Sequence, residues 1–208
     1  MAYPTVDAPY GFRPINLIGG QVFAGSTRLI PIASGTTTSI FYGDVVRLNA
    51  TGTLSRVTTT SAATDTVGIF LGVNYTNPTT KQPTYAQYYA ATIVASDIEA
   101  VVADDPDALF KVAVVSGAGA TGSSISGLTR AAVGQNVAIT QPSPGGSTTS
   151  GNSYQGAFVT TSSATAPLRI VDVVPETVNA SGSYTEVIVK FNFGFHTYYN
   201  ATGTTTSA

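Results

Sequence analysis

Few side chains in this chain are reactive, and their spacing limits the chemistry they could support. His196 is the only imidazole, set in Phe195-His196-Thr197-Tyr198-Tyr199 after an apolar strand. A nucleophilic relay would need that ring between a hydroxyl and a carboxylate, and no Gly-x-Ser-x-Gly elbow accompanies it. A typical zinc site is also excluded, because one His without any Cys cannot supply the ligands. His196 therefore reads as a strand-end residue.

Asp104, Asp105 and Asp107 cluster carboxylates that suit a hard cation, but the central Gly and terminal Glu of a calcium loop are missing. With Pro106 they read instead as the capped start of one short helical turn. Gly117-Ala118-Gly119-Ala120-Thr121-Gly122 matches G-x-G-x-x-G. It lacks the following helix and the later acidic residue that a dinucleotide requires, so it reads as a loop. The eleven acidic residues form no recognisable glycosidase pair. No catalytic residue, cofactor or metal ligand is assigned, and an enzyme is not expected.

Composition points the same way. Only 10% of the 208 residues are charged, against roughly 25% in ordinary soluble domains. A hydroxyl-rich chain with so little charge suits a surface covered by copies of itself or by a larger assembly. The net charge of −2 offers no basic field for nucleic acid. Met1 to Asp7 has no basic or apolar leader pattern, and no run approaches the ~20 apolar residues of a membrane span. The absence of Cys rules out a disulfide framework.

The elements expected to position these residues are strands. Residues 1–26 read as an extended arm, broken by Pro4, Pro9, Pro14, Gly11, Gly19 and Gly20 yet rich in apolar side chains, and so pinned to its own domain or to a neighbour. A β-rich domain over 27–199 and a polar tail over 200–208 follow. Strands are expected at Arg28–Ile32, Asp44–Leu48, Thr66–Tyr75 and Leu109–Val115. In the third of these, Ile69, Leu71, Val73 and Tyr75 should share one face. The clearest alternation sets Val187, Val189, Phe191, Phe193 and Phe195 against Glu186, Lys190 and Asn192. The Pro- and Gly-rich stretch Gln141–Asn152 reads as a flexible surface loop, as does Ser116–Gly127. Tyr85 and Tyr89 should lie on one strand face and Tyr88 on the other, offering a subunit contact. The fold class is all-β, a mainly antiparallel sandwich or barrel with an extended N-terminal arm and very little helix.

Residues 8–20, Ala24-Gly25-Ser26-Thr27-Arg28, Ile30-Pro31-Ile32-Ala33, Gly43-Asp44-Val45-Val46, Gly68–Val73 and Asp104-Asp105-Pro106-Asp107 leading to Phe110-Lys111-Val112 resemble a small structural protein of tailed bacteriophages of aquatic bacteria. Such proteins are similar to capsid cement, or decoration, proteins, and the likeness spans about residues 8 to 196. The resemblance implies a β-rich subunit acting as a dimer or trimer on the outer surface of the virion head, where it bridges neighbouring major capsid subunits. The spine helix and basic arm of a major capsid protein are absent. No direct nucleic-acid or membrane contact is implied. The arm is expected to supply the capsid or subunit interface through Tyr10, Phe12, Arg13, Ile15 and Leu17, with Arg13 facing a shell carboxylate. On that reading, deletion of residues 1–18 leaves a folded protein that no longer loads onto heads. The alternative is a receptor- or carbohydrate-binding β module on a virion head or tail fibre.

Overall fold

The computed structural model describes residues 6–58, 65–116, 128–140, 142–159, 166–178 and 184–192. Among these the chain is all-β, with two short 3₁₀ turns, Arg130–Ala132 and Pro175–Thr177, and no α-helix. Twelve strands follow one another: β1 Arg13–Leu17, β2 Arg28–Pro31, β3 Val45–Leu48, β4 Leu54–Arg56, β5 Thr66–Thr76, β6 Pro83–Ala86, β7 Glu99–Ala103, β8 Ala108–Val115, β9 Asn136–Ile139, β10 Ala157–Phe158, β11 Leu168–Val173 and β12 Glu186–Phe191. No described helix is long and apolar enough to cross a membrane.

One sheet runs β1-β8-β10-β9-β11-β12 and closes on itself because β8 also pairs with β12. The result is a small barrel, antiparallel except between β8 and β10. Alternation in β8 and β12 turns Phe110, Val112 and Val114 inward to meet Val187, Val189 and Phe191. Phe193 and Phe195 lie outside the described residues, as do His196, residues 117–127 and the C-terminal tail.

The other sheet runs β2-β7-β5-β3-β4, with β6 added to β5. Its two faces are both buried over much of their area, which explains apolar runs where a half-exposed sheet would alternate. Val46, Phe70 and Val102 fill a core of their own with Ile30, Ile32 and Leu54. Their neighbours Val45, Ile69 and Ala103 face the barrel and join its core.

One expectation about a single element fails here, and a second holds only in part. The register of β5 against β7 slips between Phe70 and Gly72, and this bulge reverses the alternation. Ile69 and Leu71 therefore pack on the barrel side, whereas Val73 and Tyr75 pack into the second core. Residues 104–107 form a turn and not a helix: Asp105 accepts from the Asp107 N–H at 2.9 Å and its carbonyl from the Ala108 N–H at 3.1 Å. That turn carries the chain from β7 of one sheet to β8 of the other.

Candidate binding surface

The arm is pinned to its own subunit. The Phe12 N–H donates to the Gly43 carbonyl at 2.9 Å, where the two backbones cross. A Cβ on Gly11 would lie 2.8 Å from the Gly43 oxygen, so only glycine permits the crossing. Beyond it, β1 pairs antiparallel with β8, setting Arg13 opposite Lys111.

The five arm residues expected at an interface are mostly engaged internally. Phe12 is fully buried, stacked on Phe191 at 6.4 Å, which itself meets Phe110 edge-on at 5.5 Å. It cannot serve as an anchor for a partner. The Tyr10 hydroxyl donates to Glu186, whose other oxygen takes Lys111 Nζ at 3.0 Å. Burial, then the bond to Glu186 and its charge, push the Tyr10 hydroxyl well above the ordinary tyrosine pKa. Glu186 belongs to the expected polar face of β12, yet it is buried. Arg13 packs its guanidinium over Tyr42 at 4.1 Å and over Tyr10 at 5.7 Å, and donates to Asn152 Oδ1 at 2.8 Å. Desolvation by burial lowers its pKa, partly offset by Tyr42 and Tyr10. Ile15 and Leu17 are half-buried, and Leu17 packs against the barrel core. The arm thus closes its own fold.

Asp44 organises a second internal knot that the sequence did not reveal. Its carboxylate accepts from the Phe41 N–H at 2.7 Å and from the Ser153 hydroxyl at 2.6 Å. Gln155 accepts from the Val45 N–H at 2.7 Å and gives its own N–H to Ser153 Oγ at 2.9 Å. Residues 142–156 are therefore lashed to the start of β3. Within the described part of Gln141–Asn152, Ser143, Pro144 and residues 148–150 are exposed while Pro142, Gly145, Gly146 and Gly151 are buried, so the stretch is a surface loop anchored at intervals. Ser153 beside Asp44 is not a nucleophile pair, because both side chains are wholly enclosed.

One open apolar surface lies on the barrel-facing side of the second sheet, beyond the part the barrel covers. Register places Pro31, Glu99, Asn74 and Tyr85 side by side across four strands, with Leu29 opposite Val101 beside them. Tyr85 is 81% exposed, Val94 68% and Leu29 52%. Leu29 and Tyr85 line a depression of ≈ 420 Å³, and Val94 lines a neighbouring one. Both include Thr76 and Asp97. Hydrogen bonds from Thr76, side chain first and backbone next, hold the Asp97 carboxyl below the ordinary value. Tyr89, in contrast, is fully buried and bridges Ile40. Tyr85 and Tyr89 do not share a face, because β6 ends at Ala86. Tyr88 stacks on Phe41 at 5.4 Å.

The clustered aspartates are partnered separately: Asp104 pairs with Arg28 at 2.7 Å and Asp107 with Lys190 at 2.9 Å. Among the described residues no group of three or more His, Cys, Asp or Glu side chains is arranged to hold a metal. Comparison with protein-family models, with curated proteins and with solved structures finds no match.

Proposed function

We propose that this chain is a non-enzymatic structural protein of a bacteriophage virion, a cement protein that sits on the outer surface of the head and bridges neighbouring major capsid subunits. The observation that carries this reading is the exposed shelf of the second sheet. Three large apolar side chains, Leu29, Tyr85 and Val94, gather in two adjoining depressions of a chain with only 10% charged residues. Apolar side chains grouped on a weakly charged surface favour burial against a partner. The virion assignment within this reading comes from the resemblance of residues 8–196 described from the sequence. In this reading the arm stiffens the subunit and the shelf docks it. Several subunits bridging several joints convert modest contacts into high avidity through effective concentration.

The test is addition of the purified protein to tailed-phage heads stripped of it. Restored occupancy together with a raised head melting temperature is the expected result. A protein that stays monomeric, does not bind heads and is missing from purified particles overturns the reading.

A carbohydrate-binding module is the second reading, favoured by the exposed Tyr85 ring lying in register with Asn74 and Glu99. An aromatic platform beside polar side chains suits a sugar ring. Glycan-array binding lost in Tyr85→Ala, without any binding to heads, would establish it over cement.

A further inference from the structure

A concavity of ≈ 550 Å³ opens between residues 37–41, the end of β4 and residues 142–148. Among the described residues, six that bear hydroxyls line it, Thr37, Thr38, Ser39, Thr58, Ser143 and Thr148, and Arg56 is the one charged residue, with no carboxylate in the lining.

Arg28, Arg47, Lys111, Arg130 and Lys190 form ion pairs, whereas Arg56, like Arg13, Lys81 and Arg169, makes none among the described residues. The Arg56 Nη2 donates to the Pro142 carbonyl at 3.3 Å. Its Nε is buried without a partner. The enclosed Asp44 carboxylate feels its charge but does not pair with it. The loop is shaped around the guanidinium, because a Cβ on Gly145 would fall 1.5 Å from Nη1. Arg56 is half-buried and lines the concavity, so an acceptor entering from outside can reach its remaining donors beside the hydroxyls.

We propose that this concavity binds an oxyanion, a carboxylate or phosphate group, through Arg56 and the surrounding hydroxyls. The planar fork of guanidinium donors matches two oxygens of either group, and the hydroxyls can rotate to donate to the same oxygens. A cation is repelled by Arg56, and a neutral ligand gains nothing from its charge. The site goes beyond the cement reading and stands even if the protein never loads onto heads.

The shared chemistry has two sources, free inorganic phosphate or an acidic side chain of a docked protein, and titration distinguishes them. The full chain is titrated calorimetrically with inorganic phosphate and, separately, with the blocked peptide acetyl-Glu-Glu-amide. Saturable millimolar binding of at least one is expected, weakened about tenfold or more in Arg56→Gln. Thr38→Glu, at an exposed rim position, should block the site with Arg56 untouched, and Thr38→Lys should strengthen it; this pair carries the test should Arg56→Gln fail to fold. Binding of phosphate alone assigns a free anion, and binding of the peptide alone assigns a protein carboxylate. Failure of both ligands to bind, or binding unchanged in Arg56→Gln and Thr38→Glu, overturns the proposal.

Discussion

The Ser153 hydroxyl donates to Asp44 Oδ1 at 2.6 Å across 109 residues of sequence, and both side chains are fully buried. Desolvation raises the Asp44 carboxyl from 3.8 to about 6, against the opposing effects of Arg56, the Phe41 N–H and Ser153. The folded chain therefore holds this proton more tightly than the unfolded chain does. The corresponding stability is complete below about pH 4 and is lost as pH rises through about 6, a swing of about 3 kcal/mol. In Asp44→Asn that slope should vanish, as read from urea midpoints of both proteins across this range. Parallel curves for the two would refute the assignment.

Tyr10 and Glu186 fasten the arm over the barrel. Tyr10→Phe keeps the ring and removes the donor, so it should cost about 1.5 kcal/mol, typical of a hydrogen bond to a charged group. Thermal melts measure this directly. An unchanged melting temperature would mean that the arm is held by Phe12 and β1 alone.

Phe12→Ala should cost about 3–5 kcal/mol, because it empties a fully enclosed site between Phe191 and the crossing at Gly43. Deletion of residues 1–18 removes that ring and β1 together. The structure thus reverses the expectation of a folded truncation: the shortened chain should lose its cooperative melt. A normal melt after deletion would show that the barrel closes without the arm.

Leu29→Ala with Tyr85→Ala should leave stability within about 0.5 kcal/mol per site, as both side chains stand mostly in solvent. Head occupancy should fall sharply. Full occupancy with this double substitution would move the docking surface elsewhere, with the exposed Ile18 and Val22 next to examine.

The all-β class and the main strands were legible because apolar runs bounded by Gly, Asn and Asp leave few alternatives, and β12 shows why: Val187, Val189 and Phe191 are buried at period two. Where period two misled, an irregularity in the backbone was responsible. A bulge between Phe70 and Gly72 swaps the faces of β5, and Gly72 within Gly-Ile-Phe-Leu-Gly-Val is its one local signal. Arg13 was legible as an important cation but not as an internal one, since Tyr42 and Asn152 are distant in sequence. Arg56 and Asp44 escaped notice for the same reason. Both sit in ordinary strand-edge sequence, and only long-range packing of residues 142–156 gives them their surroundings.

The bond from Tyr10 to Glu186 spans 176 residues, and β1 rests on β8, so residues 10–17 leave a ribosome well before the strands they must meet. A nascent chain has no way to seat Phe12 until β12 has emerged to receive it. Partners this remote in sequence are slow to find one another. Half-made chains consequently expose the aromatic residues that the finished subunit hides, and maturation becomes a single late event.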